Sequence, residues 1–225
     1  YNIAEITSEN VIISTSAAGA YKEVNNIIKS GKSVEYYMDA WEDMYYSYAV
    51  YSGFNIDNPD DPNYMPRGKF NSRIFTKGPY GWADYGYTGY NGGNTKRRDG
   101  EFFSTLIKAP TSGGWALYHE WGHVYDSNRL GRGESTNNLY SLLMQDKYTD
   151  RNRMVKDNRW NDHFTKYHNT KQYPNDQLFY GAIVYQLQGV FGEDIYGKAS
   201  KLARENTDGI MTVSYTHLTL PTTSR

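Results

Sequence analysis

The strongest chemical pattern in this sequence is a run of five residues, His119-Glu120-Trp121-Gly122-His123, which has the form H-E-x-x-H. If the run is helical, a spacing of four places both imidazoles on one face, one turn apart. Both rings can then reach one ion at the usual Zn–N distance of about 2.0–2.1 Å. Glu120 projects about 100° round the helix from His119. It can therefore lie beside the ion and act as a general base toward metal-bound water.

A catalytic zinc ion needs a third protein ligand and an open position, and Glu134 is the best candidate downstream. Asp126 is too close, because it would have to unwind the helix of His123 to reach the ion. Glu134 follows a glycine-containing turn and is predicted to begin the next helix, which can pack antiparallel to the first. The alternative is a first-turn carboxylate that only stabilises the helix dipole. Beside H-E-x-x-H we favour the ligand, and we expect Asn138 to hold a ligand from behind by a hydrogen bond.

The elements that position these residues are predicted from hydrophobic periodicity and capping signals. The clearest is a helix from Ser33 to Tyr51, with Ser33 as N-cap and Gly53 as its end. Ser16–Gly19 is predicted as a turn. Further segments are predicted as strands at 10–15 and 69–76, as a bulged strand or binding loop at 78–93, and as helices at 115–126, 135–147, 176–191 and 194–206. Because strands come early and helices late, the predicted fold class is α+β.

Composition narrows the possible functions. The 225 residues suffice for one ordinary domain. Lys plus Arg is 24 against 25 Asp plus Glu, a balance that argues against a nucleic-acid partner. No apolar run is long enough for a membrane span, and the absence of cysteine excludes disulfides and thiolate metal sites.

Substrate contacts are predicted around the aromatic and glycine-rich segment 85–91, which we expect to form an exposed sheet edge that pairs with a substrate strand. Glycines there would allow a bulky backbone to approach, and aromatic faces suit sugar rings. The alternative is that these aromatic residues serve only the strands and the core. The predicted substrate-binding residues are Tyr87, Gly89, Tyr90 and Trp115.

Several segments together resemble the enhancin-like zinc metallopeptidases, peptidase family M-60. The signature of that family is H-E-x-x-H, a variable spacer and then Glu, commonly within G-E-x-T-N-N-L. Here Gly133-Glu134-Ser135-Thr136-Asn137-Asn138-Leu139 follows the H-E-x-x-H run. The supporting segments are the aromatic helix around Trp41, the G-Y-x-G-Y run at 86–90, and Gln186-Leu187-Gln188 with Gly192-Glu193-Asp194.

The resemblance implies a gluzincin-like catalytic domain, with an N-terminal mixed sheet over the H-E-x-x-H helix and a helical C-terminal half. It implies that His119, His123 and Glu134 hold one Zn²⁺ ion, with Glu120 as the catalytic base toward a metal-activated water. It also implies endopeptidase activity on mucin-type O-glycosylated proteins, by secreted or cell-surface bacterial enzymes. Two alternatives stay open: a zinc peptidase of general specificity, and a non-catalytic carbohydrate-binding module.

The two ends of the sequence suggest a fragment. We expect residues 1–212 to be a metallopeptidase catalytic domain truncated at both ends, because the chain starts with Tyr1 and family domains continue with further helices. Residues 213–225 are expected to be a non-native tail, since Val213–Thr222 resembles the in-frame translation of a transposon-type sequencing adapter.

Overall fold

Five short strands form one mixed sheet in the computed structural model, which describes residues 3–65, 68–75, 77–84, 86–92, 106–112, 114–126, 130, 133–149, 152–172 and 177–206 (backbone only for 177–180). The order across the sheet is β1-β2-β3-β5-β4. Neighbours among the three central strands run parallel, and the two outer strands pair antiparallel with their neighbours. The strands are β1 (Ile3–Thr7), β2 (Val11–Ser16), β3 (Phe70–Phe75), β4 (Gly81–Asp84) and β5 (Tyr87–Asn91).

Seven α-helices lie in the described part of the chain, two before β3 and five after the sheet. This arrangement confirms the predicted α+β class with a helical second half. None of the described helices combines the length and the apolar character that a membrane span needs. The helices are α1 (Ala17–Lys29), α2 (Val34–Tyr51), α3 (Trp115–Tyr125), α4 (Asn138–Tyr148), α5 (Arg159–Thr170), α6 (Gln177–Phe191) and α7 (Ile195–Glu205).

Helix α2 begins and ends where the capping signals predict. The hydroxyl of Ser33 accepts a hydrogen bond from the backbone N–H of Tyr36 at 3.2 Å, which satisfies a free donor of the first turn. The chain leaves the helix through Gly53, whose φ of +72° suits a residue without a Cβ.

The buried face of α2 holds α3 in place. The rings of Trp41 and Trp121 lie 5.3 Å apart between centroids, and both side chains are fully buried. The hydroxyl of Tyr48 donates to the carbonyl oxygen of Tyr118 at 2.9 Å. On the sheet side, the indole N–H of Trp121 donates to the hydroxyl of Ser72 on β3 at 2.9 Å. Helix α3 is thus fixed between α2 and the sheet, by aromatic packing with satisfied polar tips.

Two local predictions are wrong. The predicted turn at Ser16–Gly19 is the start of α1, where the hydroxyl of Ser16 accepts from the backbone N–H of Gly19 at 3.1 Å as an N-cap. Helix α4 begins at Asn138 rather than at Ser135, because residues 133–137 form turns. In the described part of segment 78–93, the chain forms the antiparallel pair of β4 and β5.

Candidate metal centre

The residues of the H-E-x-x-H motif on helix α3 differ in how deeply they are buried. Trp121 is fully buried in the core. The side chains of His119 and His123 are 15% and 24% exposed, and their ring centroids lie 4.9 Å apart. The helical spacing of four thus gives two neighbouring imidazoles at the surface of the helix.

Glu134 reaches these imidazoles from the turn that precedes α4. Its side chain is 56% exposed, and its Oε2 atom lies 2.8 Å from Nε2 of His119. Its Oε1 atom lies 3.4 Å from Nε2 of His123. One ligand atom from each of the three residues falls within 4.8 Å of the others. The structure therefore brings the three predicted metal ligands together.

Asn138 fixes the orientation of one imidazole. Its Nδ2 group donates to the backbone carbonyl of Glu134 at 2.7 Å, so its Oδ1 atom faces Nδ1 of His119 at 2.8 Å. Nδ1 of His119 consequently carries the proton, and Nε2 presents a lone pair. A single buried carboxamide thus links an imidazole to the turn that bears the carboxylate.

These contacts test whether a cation fits the cluster. With its proton on Nδ1, His119 has an unprotonated Nε2 atom, which lies 2.8 Å from the Oε2 atom of Glu134. Two acceptor atoms at this distance repel each other unless a cation or a proton lies between them. Two imidazoles and one carboxylate are also the ligand set of many catalytic zinc sites. The residues present therefore fit a divalent metal.

Glu120 lies beside the cluster and against the sheet edge. A Cβ atom built on Gly81 of β4 would lie only 2.9 Å from Oε1 of Glu120. Burial raises the pKa of Glu120 to about 7, the charge of His119 opposes this, and the charge of Glu134 adds to it. Burial also lowers the pKa of the His123 imidazole.

Asp126, which was rejected as a ligand, joins the elements around the centre. It follows the last residue of α3 and accepts a hydrogen bond from the hydroxyl of Thr136 at 2.5 Å. It also accepts one from the hydroxyl of Tyr196 on α7. The turn that bears Glu134 is thereby attached to the end of α3 and to α7.

The predicted substrate edge is wrong. Strand β5 lies between β3 and β4, so β4 forms this edge among the described strands. Tyr90 is 0% exposed, and its hydroxyl donates to the carbonyl of Leu117 at 3.3 Å, which makes it a core residue. Gly89 is covered by the indole of Trp82, whose atoms a Cβ at position 89 would approach to 2.2 Å. The sequence does not predict this position of β5, because its pairing with β3 joins segments that are not adjacent in the chain.

The other two predicted substrate residues are partly buried. Tyr87 packs under the guanidinium of Arg73, which lies 4.7 Å from its ring centroid. Trp115 packs against the buried cluster around Leu142, and the guanidinium of Arg153 lies 4.2 Å from its ring centroid. Neither lies in the His119 cluster. Tyr85 and the predicted tail at 213–225 lie outside the described residues.

Sequence reasoning did not select Asn137 and Gly81, which contact the site. Asn137 directly precedes Asn138 in the same motif, and this adjacency was the available signal. Gly81 is one of 21 glycines, and nothing in the sequence distinguishes it.

Solved structures with this fold include three bacterial proteins. The ZmpB metallopeptidase from Clostridium perfringens is 24% identical with a TM-score of 0.70, over 91% of this chain and 39% of that chain. The M60 catalytic domain of C. perfringens ZmpC, in complex with the sialyl T antigen, is 23% identical with a TM-score of 0.71, over 91% and 39%. A functionally unknown conserved protein mutant from Bacillus anthracis str. Ames is 18% identical with a TM-score of 0.73, over 92% and 41%. The chain thus spans about two fifths of these proteins, and the likeness establishes the fold.

Sequence comparison establishes the family. A search of curated proteins gives no significant match. The family model for Peptidase M60, enhancin and enhancin-like, matches residues 2–224, almost the whole chain. This chain therefore belongs to the M60 family of enhancin and enhancin-like metallopeptidases.

Proposed function

We propose that this chain is catalytic and belongs to a zinc-dependent endopeptidase that hydrolyses peptide bonds in mucin-type O-glycosylated proteins. The observation that supports it is the convergence of His119, His123 and Glu134 at one point. Membership in a metallopeptidase family argues in the same direction and against a non-catalytic carbohydrate-binding module.

His119, His123 and Glu134 would hold the zinc ion. When bound, zinc supplies a Lewis acid that makes a water molecule more acidic and polarises a carbonyl oxygen. Asn138 keeps the Nε2 lone pair of His119 available to the metal, since it accepts the Nδ1 proton. The exposed carboxylate of Glu134 leaves the site accessible from solvent.

Glu120 would act as the general base. Its carboxylate accepts the proton from the attacking water and then delivers it to the leaving amine. Its partly buried position beside the cluster suits this role, because the ligand atoms belong to other residues and its carboxylate stays free for proton transfer.

Strand β4 would receive the peptide. It is the edge strand next to α3, and its Gly81 contacts Glu120. A substrate added to this edge as a further strand would form backbone hydrogen bonds and lie beside the general base.

The general-base role is tested by Glu120→Gln. The amide keeps the shape of the side chain but cannot accept the proton, so we expect the cleavage rate to fall by about 100- to 10,000-fold. Zinc content, measured by elemental analysis, should stay at one ion per chain. Glu193→Gln, at an exposed residue, is the control and should keep full activity. Full activity of Glu120→Gln would show that the mechanism is wrong.

A second candidate, a zinc peptidase of general specificity, is favoured by one observation. Tyr90 lies in the core and Trp115 packs in a side-chain cluster, so two predicted glycan contacts have structural roles. Cleavage of a mucin glycopeptide should be compared with cleavage of the same peptide after deglycosylation. Loss of cleavage on deglycosylation supports the mucin substrate, and equal cleavage of both supports general specificity.

We also propose that the parent enzyme is bacterial and secreted or attached to the cell surface, as the family resemblance implies. An antibody against this domain should detect the protein in the culture medium or on intact cells. Detection only after lysis would contradict the proposal.

A further inference from the structure

Asn137 occupies the space between the two imidazoles on the side of the helix. It is 0% exposed. A Cβ atom at Gly122 of α3 would lie 2.8 Å from the carbonyl oxygen of Asn137 and 3.2 Å from its Cβ. The glycine of the H-E-x-x-H motif thus allows the backbone of Asn137 to lie directly against the helix, between its two histidines.

The Asn137 carboxamide faces the Nε2 atoms of both imidazoles. Its Nδ2 atom lies 2.8 Å from Nε2 of His119 and 2.8 Å from Nε2 of His123. The same atom is 3.4 Å from the carbonyl oxygen of His119, a longer contact. An NH₂ group has two hydrogens to donate. One hydrogen for each imidazole therefore accounts for both short contacts.

The Oδ1 atom at the other end of the carboxamide shows that packing alone does not explain why position 137 is an asparagine. The Oδ1 atom is buried and has no hydrogen-bond partner among the described residues. An unpaired buried oxygen costs free energy that a leucine of similar size would avoid. Turning the amide round would direct its oxygen at the Nε2 lone pair of His119, which Asn138 fixes independently, and would lose that hydrogen bond, so the contacts support the orientation with Nδ2 inward.

The two imidazoles depend on Asn137 to different degrees. His119 has a second constraint, since its Nδ1 proton is accepted by Asn138 at 2.8 Å. His123 has no counterpart of that Nδ1 hydrogen bond among the described residues. Its Nε2 atom contacts Asn137, and the Oε1 atom of Glu134 lies at 3.4 Å. Among the described residues, the Asn137 carboxamide is thus the donor that favours an unprotonated Nε2 on His123.

We propose that Asn137 is a positioning residue of the metal centre. Its carboxamide directs one hydrogen at Nε2 of each imidazole and so keeps both atoms unprotonated, and a bound cation would displace these two hydrogens. The inference rests on the metal centre of the proposed function. It assigns Asn137 no contact with the substrate.

The test is ¹⁵N NMR of the histidine-labelled, zinc-free chain, at a pH where both imidazoles are neutral. In the wild type, Nε2 of both residues should give the signal of an unprotonated, hydrogen-bonded nitrogen. In Asn137→Ala, His123 should shift toward the Nε2-protonated tautomer, while His119 should keep its signal because Asn138 still accepts its Nδ1 proton. Zinc affinity, measured by competition with a chromogenic chelator, should rise by about 3- to 10-fold, because a cation no longer has to displace the two hydrogen bonds.

A matched control and a second variant complete the design. Asn63 is 2% exposed and is bonded to Glu205 and Arg204, so Asn63→Ala removes an equally buried carboxamide elsewhere and should change neither readout. Asn137→Leu replaces the alanine variant if that variant fails to fold. An unchanged His123 tautomer, or a zinc affinity that falls or stays the same, would overturn the inference. Failure of the wild type to bind zinc would instead refute the metal centre, since the NMR readout is taken without metal.

Discussion

Glu120 meets the edge strand at a position where the absence of a side chain leaves room for it. A Cβ atom at Gly81 would lie 2.9 Å from Oε1 and 3.0 Å from Cγ of Glu120. Real Cβ atoms rarely approach another atom so closely, so any larger residue at position 81 has to displace the carboxylate. The location of the Glu120 carboxylate, the proposed general base, is thus limited by one glycine of β4.

We expect Gly81→Ala to lower kcat, by up to about 100-fold, because small displacements of a reacting group are costly. Zinc affinity should not change, since the contact is with Glu120 and not with a ligand. Steady-state kinetics on a glycopeptide and chelator competition measure the two quantities. Gly189→Ala is the control, because a Cβ there meets nothing within 4 Å. A wild-type kcat in Gly81→Ala would contradict the positional argument.

At the scale of elements, Asp126 links the segments around the site by hydrogen bonds. Its carboxylate accepts hydrogen bonds from Thr136 in the turn that bears Glu134 and from Tyr196 on α7. Helix α3 also packs closely against α4, because a Cβ atom added at Gly122 would lie only 3.1 Å from the ring of Tyr140. One carboxylate therefore connects the two ligand-bearing segments to the last described helix.

Asp126→Asn should reduce the free energy of unfolding by about 2 kcal/mol, since hydrogen bonds to a charged acceptor are stronger than those to a neutral one. Urea denaturation of the zinc-free protein measures this change. Asp39→Asn, at an exposed position on α2, should change it by less than about 0.5 kcal/mol. Equal stability of the two variants would mean that the hydrogen bonds of Asp126 contribute little to the free energy of unfolding.

The elements also show which parts of the fold were predictable from sequence. Helix α2 was recovered because its apolar period and its Ser33 cap are local signals. The three predicted ligands could be named because two lie at helical spacing and Glu134 follows in the motif of the family, and the structure brings their ligand atoms within 4.8 Å of one another. Helix α1 was missed since its first turn is rich in small residues that resemble a turn. The inner position of β5 depends on parallel pairing with β3, which no local pattern specifies.

At the scale of the whole molecule, a bound cation would join segments that are distant in sequence. Two ligands belong to α3 and one to the turn before α4. A ligand that binds only the folded state stabilises it by mass action. Metal binding and global stability are therefore expected to be coupled.

We expect chelation to lower the melting temperature by about 5–10 °C, which corresponds to roughly 2.7 kcal/mol at a zinc concentration 100 times Kd. Differential scanning calorimetry with and without chelator measures the shift. His123→Ala should melt at the same temperature in both conditions. A chelator effect of equal size in this variant would place the stabilising ion elsewhere.

The sheet and the helices carry different parts of the proposed site, which has a consequence for protein engineering. The proposed metal ligands lie on α3 and on the turn before α4, whereas the proposed peptide-binding edge belongs to the hairpin of β4 and β5. That hairpin can be grafted from another family member without rebuilding the coordination sphere, provided that Gly81 and the inward Tyr90 are kept. On the proposed function, selectivity would lie in the hairpin and metal binding in α3 and the turn before α4, so libraries can diversify the hairpin around a fixed Gly81 while leaving the metal ligands untouched.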